Sequence, residues 1–225
     1  MTLAPHIEQL LSRLCRPLGI AYSVGEIFPV EDTCQAEDSN VRELFGEERS
    51  VWSRLRSPKR RREFAAGRAA AKRALSAAPF FSAQGPVEIG RASTGAPRSP
   101  SPDIHISISH TGTVAAAVVA PFPVGIDIES NEPRPDSLLR YFFSKNEQRF
   151  LADTAPSLRT PTVNQLWTRK EAAAKVGRWG GSLPFRDVDC AGETATILGR
   201  QIVFRTDTEE RFVASIAYDK DCRNG

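Results

Sequence analysis

The chain has 225 residues, with 40% hydrophobic and 25% charged side chains and a formal net charge of +3. That length suits one large domain or two modest ones with their own cores, and the charge is too small to argue for nucleic-acid binding, although a local cluster can still recruit an acidic ligand or protein. Cys15, Cys34, Cys190 and Cys222 show neither metal spacing nor a disulfide framework, Pro5, His6, Glu8 and Gln9 stand where a signal peptide needs an apolar run, and no stretch has the length of a membrane span, so a soluble cytoplasmic protein is expected.

In chain order, residues 7–18 read as a short amphipathic helix and the acidic stretch 26–48 as loop with a little strand. Ser57 is a suitable N-cap with Pro58 at the first helical position, and the Ala-rich run to Leu75 predicts a long, closely packed helix. Gly67, beside Arg68 and a turn from Phe64, marks where that helix can approach another element. Residues 93–102 are rich in Ser, Gly and Pro and read as loop. Residues 104–109 alternate and 114–120 are small and apolar, which predicts two strands joined by a turn at His110, Thr111 and Gly112. After Pro121 and Pro123 comes a third strand, then a loop over 131–137, a capping box at Ser144 and Glu147, a helix over 162–176, a Gly-rich turn over 177–184 and short strands within 188–217. Each half is thus helix plus strands, with a boundary expected at residue 123.

Residues 124–129 read VGIDIE, so alternation puts Gly125, Asp127 and Glu129 on one face and Val124, Ile126 and Ile128 on the other. Two carboxylates side by side on a strand are either a solvated face or half of a cation site, and a third acid would complete a hard oxygen cage of the kind Mg2+ takes. Residues 167–175, WTRKEAAAK, supply that acid in Glu171, with Lys175 one turn on and Trp167 one turn before. Taken alone, Glu171 and Lys175 also read as a helix surface pair. His110 is open to two readings, a satisfied turn histidine or, beside Ser109 and Thr111, part of a phosphate cradle. The basic run 59–62 reads as a solvated helix end.

The segments SISH at 107–110, GIDIE at 125–129, FFSKNE at 142–147, WTRKEAAAK at 167–175 and GSLP at 181–184 occur in an order that resembles group II phosphopantetheinyl transferases. EFAAGRAA at 63–70 is similar to the branch that includes the enterobactin-synthase D component and the surfactin-type enzymes. The resemblance covers about residues 57–190, and its departure lies at 98–102, where RSPSP replaces that branch's Trp-Pro segment.

The resemblance implies an α+β fold of two similar, pseudo-twofold halves with the active site in the cleft between them. It implies transfer of 4'-phosphopantetheine from coenzyme A to a serine of an acyl or peptidyl carrier protein, releasing 3',5'-phosphoadenosine, by a monomer serving siderophore or other secondary metabolism. Asp127, Glu129 and Glu171 would hold Mg2+, or Mn2+, on the pyrophosphate; Lys175 would stabilise the leaving phosphate; Glu171, or a water it orients, would be the base. Arg68, Ser109 and His110 would bind the phosphoadenosine end, with one of the arginines at 60–62 and Lys170 nearby. Glu147 matches a family acid and is equally a helix cap, and Phe142, Phe143 and Lys145 are candidates for carrier docking. The competing reading is a metal-dependent phosphatase or nucleotide hydrolase that attacks a pyrophosphate with water; a binding module without catalysis would have no use for the three acids.

Overall fold

In the computed structural model, which describes residues 3–27, 39–179 and 182–223, the chain divides between Pro121 and Phe122 into two units, each a sheet with a long helix against it. Among the described residues no helix is long and apolar enough to cross a membrane, and Cys15, Cys190 and Cys222 are free thiols; Cys34, Gly180 and Gly181 lie outside the described residues.

The first unit runs α1 (Ala4–Cys15), β1 (Ala21–Glu26), α2 (Ser39–Arg42), α3 (Gly46–Arg54), α4 (Pro58–Ala77), β2 (Gly90–Arg91), β3 (Pro97–Arg98), β4 (His105–Thr111) and β5 (Val114–Ala120). Its main sheet is antiparallel in the order β1-β5-β4. Helix α4 starts as its sequence requires: the Ser57 hydroxyl accepts from the Arg60 N–H at 3.4 Å and Pro58, which has no N–H to satisfy, occupies the first turn. Its alanines let the axis lie close to the sheet, so Ala70, Ala71, Ala74 and Leu75 share a core with Ile104, Ile106, Ala117 and Val119. Gly67 permits the nearest approach, since a Cβ there would come within 2.9 Å of Ile108 Cγ2. The stretch expected to be loop instead contains α2 and the start of α3, and its residues 28–38 lie outside the described set. What organises α3 is Glu48, whose carboxylate is buried and accepts from the N–H of Phe45 at 3.1 Å.

The second unit runs β6 (Val124–Ser130), α5 (Asp136–Phe142), α6 (Lys145–Ala152), α7 (Pro156–Val176), β7 (Thr194–Ile197), β8 (Arg200–Thr208), β9 (Phe212–Asp219) and α8 (Lys220–Arg223), with an antiparallel sheet in the order β6-β9-β8-β7. The capping box forms: the Glu147 N–H donates to the Ser144 hydroxyl at 3.1 Å and the Ser144 N–H to Glu147 Oε2 at 2.7 Å. Helix α7 begins at Pro156 and runs through Pro161, ahead of the expected start at residue 162. Pro161, the sixth residue of the helix, removes the bond that would have met the Ser157 carbonyl, and its ring crowds that carbonyl.

The two units share an element order. A first strand, a short helix, a long helix opened by proline and a closing hairpin appear in each, and the sheet orders β1-β5-β4 and β6-β9-β8 correspond strand for strand. The fold is α+β in two similar halves.

Candidate active site

The acidic residues of the second unit gather where β6 meets α7. A Cβ on Gly125 would collide with the carbonyl oxygen of Ala172, so strand and helix touch there, and Asp127 and Glu129, two and four residues on, share the helix-facing side. Lys175 Nζ donates to Asp127 Oδ1 and to the Ile126 carbonyl, both at 2.8 Å. Glu129 Oε1 accepts from Trp167 Nε1 at 3.1 Å, and Oε2 pairs with Arg134 at 2.9 Å. Arg134 is in turn held by Asn164 Oδ1 at 2.8 Å. Trp167, Glu171 and Lys175 follow at one-turn intervals along α7, which places Glu171 between the two residues that reach the strand acids. Its carboxyl is raised above the ordinary range, first by burial, then by the Asp127 charge, against which Lys175 works, and further by Glu129. Asp127, Glu129, Glu171 and Lys175 therefore act on one another electrostatically.

Among the described residues no three His, Cys, Asp or Glu side chains stand close enough to share a metal ion. Two of the acids are held by basic side chains instead, Asp127 by Lys175 and Glu129 by Arg134. The donor types, three carboxylates on a strand and a helix that touch, are those a hard divalent cation takes, and the Asp127 and Glu129 charges add to the burial that raises Glu171.

Lys170 departs from the expectation that it would lie near coenzyme A. Its side chain is fully buried, pairs with Glu147 Oε2 at 2.8 Å and donates to the carbonyls of Phe185 at 2.7 Å and Val188 at 2.5 Å. Neighbours on a helix point about 100° apart, so Lys170 faces inward while Glu171 faces β6. Glu147, also fully buried, accepts in addition from the Cys190 N–H at 2.8 Å, so it is the cap of α6 and a brace for α7.

The first unit holds a contrasting site. Arg68 is 5% exposed, stands 4.8 Å over the Phe64 ring and donates to the Gly90 carbonyl at 3.4 Å, while its Nε has no hydrogen-bond partner. No carboxylate pairs with it among the described residues. Burial lowers its pKa to about 10; Glu48 works against that, Arg91 adds to it and Glu47 opposes. A pocket of about 300 Å³ opens beside it, lined by Arg60, Phe64, Arg91, Ile108 and His110 among others. Of the basic run, Arg60 faces this pocket, whereas Arg61 is tied to the preceding turn through the carbonyls of Leu55 at 2.6 Å and Ser53 at 3.1 Å and lies over Trp52.

Ser109 and His110 do not form the expected cradle. Strand β4 continues through Thr111, two residues beyond the predicted end, and Gly112 makes the turn with φ +55. Alternation therefore holds across the pair. His110 shares the α4 side of the sheet with Ile106 and Ile108, and Ser109, which is buried, points to the opposite face together with Ser107. No motif marks Arg91 or Arg134: Arg91 lies in the two-residue strand β2 and Arg134 in the loop before α5, where periodicity carries no signal.

A second groove in the C-terminal unit, about 640 Å³, is lined by Tyr141, Phe142, Lys145, Phe185 and Arg186. Phe142 is 41% exposed and meets the Trp167 and Phe185 rings edge-on. Phe143 is fully buried among Leu139, Leu151 and Leu166, so it belongs to the core and only Phe142 of the pair is available to a partner.

Residues 49–120 match the family described as 4'-phosphopantetheinyl transferase N-terminal domain, and residues 123–217 match the 4'-phosphopantetheinyl transferase superfamily. Among curated proteins, a 4'-phosphopantetheinyl transferase of Bacillus subtilis is 35% identical over 99 residues, 44% of each chain. The transferase Sfp of Bacillus subtilis strain 168 is 36% identical over 83 residues, 37% of each chain, and the transferase gsp of Aneurinibacillus migulanus is 31% identical over 101 residues, 44% of this chain and 42% of its own. The chain thus spans less than half the length of the curated relatives it matches. Among solved structures, a holo-(acyl-carrier-protein) synthase from Bacillus anthracis in complex with CoA (3',5'-ADP) aligns at 31% identity over 45% of this chain and 93% of its own, with a TM-score of 0.37.

Proposed function

The chain belongs to the 4'-phosphopantetheinyl transferase superfamily, and from that premise we propose that it moves the 4'-phosphopantetheine group of coenzyme A to a serine hydroxyl of an acyl or peptidyl carrier protein, with Mg2+, releasing 3',5'-phosphoadenosine. The observation that carries the reading is the electrostatic grouping of Asp127, Glu129, Glu171 and Lys175 at the contact of β6 with α7.

In this reading the serine oxygen attacks the phosphorus next to the pantetheine, a new P–O bond forms, and the bond from that phosphorus to the bridging oxygen of the pyrophosphate breaks. A divalent ion held by Asp127, Glu129 and Glu171 would supply charge neutralisation for the pyrophosphate. Lys175, freed from Asp127, stabilises the charge that develops on the departing phosphate. Glu171 takes the serine proton, directly or through a water it orients. Arg68, Arg60 and His110 bind the phosphoadenosine end, since a buried guanidinium without a carboxylate is met by an anionic ligand. The Phe142 and Lys145 groove receives the carrier, whose reactive serine is expected in acidic surroundings.

Mass spectrometry of apo-carrier proteins incubated with coenzyme A, Mg2+ and the full chain tests this. The phosphopantetheine increment on carrier is expected; release of phosphopantetheine or phosphate into solution with carrier unmodified would replace transfer by hydrolysis.

A further inference from the structure

Glu129 is gripped by two residues in different ways. Trp167 Nε1 donates to its Oε1 at 3.1 Å, a directed bond from α7. Arg134 Nη2 lies 2.9 Å from Oε2, yet that nitrogen is buried and makes no hydrogen bond among the described residues, so the contact is one of charge without the alignment of a bond. Arg134 is fixed from elsewhere. Its Nε donates to Asn164 Oδ1 at 2.8 Å, and Asn164, fully buried on α7, donates through Nδ2 to Asn131 Oδ1 at 3.3 Å and to the Glu132 carbonyl at 2.9 Å. Pro133 and Pro135 stiffen the loop on both sides of the arginine, and the Asn131 N–H is tied to the Arg211 carbonyl at 2.8 Å. A guanidinium is thus delivered to one oxygen of Glu129 by bonds that do not involve Glu129.

We infer that Arg134 is a positioning residue that sets how tightly the acidic site takes a divalent cation, by holding Glu129 as an ion pair and yielding it when the ion arrives. The inference rests on the cation-site reading above and deepens it. Arg134 gives Glu129 the positive charge that the ion would otherwise supply, and a guanidinium beside a carboxylate repels a divalent ion there twice as strongly as it repels a unit charge. Removing the arginine therefore has two opposed effects: it lifts that repulsion, and it loosens Glu129. The first wins, because Trp167 keeps its bond to Oε1 and Arg134 gives Oε2 no directed bond to lose. Lys175 holds Asp127 differently, through hydrogen bonds to Oδ1 and to the Ile126 carbonyl, both at 2.8 Å. Of the two cations at the strand acids, Arg134 is the one that gives up its carboxylate with the lesser loss.

Titration of the full chain with Mn2+ alone, read by loss of the free-ion electron paramagnetic resonance signal, tests this with no turnover. Arg134→Gln, whose amide can keep the bond to Asn164 but carries no charge, is expected to bind Mn2+ about tenfold more tightly than wild type. Arg134→Lys, which keeps the charge and loses the fork, should stay within about twofold of wild type. Thermal melts supply a second reading: without metal Arg134→Gln should melt below wild type, and Mn2+ should narrow the gap, since the tighter binder is stabilised more. Unchanged or weaker Mn2+ binding by Arg134→Gln, with a melting deficit that Mn2+ does not narrow, would overturn the inference, leaving Arg134 a brace for its loop and the transfer reading standing. Wild-type protein with no saturable Mn2+ binding, or binding that Glu171→Gln retains in full, would overturn the cation-site reading and the inference together.

Discussion

The two halves of the chain brace their long helices with the same device and then load them with opposite charge. In the first, buried Glu48 accepts from the N–H groups of Phe45 at 3.1 Å and Ile89 at 3.0 Å and pairs with Lys72 of α4 at 2.6 Å. In the second, buried Glu147 accepts from Ser144 at 2.7 Å and Cys190 at 2.8 Å and pairs with Lys170 of α7 at 2.8 Å. Each glutamate sits in the first turn of the shorter helix, and each lysine sits at the fifteenth position of a long helix that opens on proline. The residue after the lysine differs: Arg73 in α4, reaching Glu43 at 3.2 Å, and Glu171 in α7, raised by burial and then by its acidic neighbours. Among the described residues the first half is left with a buried cation that no carboxylate pairs with, Arg68, and the second with Glu171 beside Asp127 and Glu129, with Lys175 opposing them. A shared scaffold thus carries buried charge of opposite sign in its two halves; in the proposed reading one meets a phosphate and the other a divalent cation.

The comparison is sharpened most by removing an acid from the second half. Asp127→Ala should cut carrier modification by about 10²- to 10³-fold while the protein still folds, because electrostatic groups aimed at a developing charge contribute on that scale. Near-wild-type modification by a folded Asp127→Ala protein would dismiss the cation-site reading.

Breaking the braces comes next. Lys170→Met and Lys72→Met each strand a buried carboxylate and should each cost about 3–5 kcal/mol in denaturant unfolding. If one variant is markedly milder than the other, the two devices are alike in geometry alone.

Arg68→Met should lower coenzyme A affinity by roughly 10- to 100-fold, measured by calorimetry. The smallest effect is expected at the groove, where Lys145→Glu should raise the Michaelis constant for carrier several-fold and leave that for coenzyme A nearly unchanged, since a rim charge acts on encounter. Equal changes for both substrates would place carrier docking elsewhere.

Much of this was legible because strand and helix periods carry it. Alternation placed Asp127 and Glu129 on one face, and the four-residue spacing of Trp167, Glu171 and Lys175 put all three on one side of α7. Where reading failed, the reason was local. At Ser109 and His110 a strand end misjudged by two residues turned a side-chain cradle into opposite faces. Lys170 sits in a motif full of charge, and its partner Glu147, 23 positions away in sequence, pairs with it only once α6 packs on α7, so the sequence carries no sign that this lysine is internal. Arg91 had no signal, because a two-residue strand offers no period. β1 went unseen, since Gly25 and Glu26 disfavour strand and its place is fixed by pairing with β5.

Thermal unfolding of wild type, Arg68→Met and Glu171→Gln without ligand tests the central contrast most directly. Both groups have proton affinities displaced against their charged forms, Arg68 down and Glu171 up. For Glu171, a carboxyl raised in the fold, stability is full below the unfolded pKa and is lost as pH rises through the folded one, so Glu171→Gln should melt above wild type at neutral pH and lose that margin in acid. For Arg68, lowered to about 10, the buried charge is carried throughout neutral pH, so Arg68→Met should also melt above wild type there. Addition of coenzyme A with Mg2+ should then stabilise wild type more than either variant. Variants that both melt below wild type at neutral pH without ligand would contradict the account, since the two charges would then be satisfied by the fold itself.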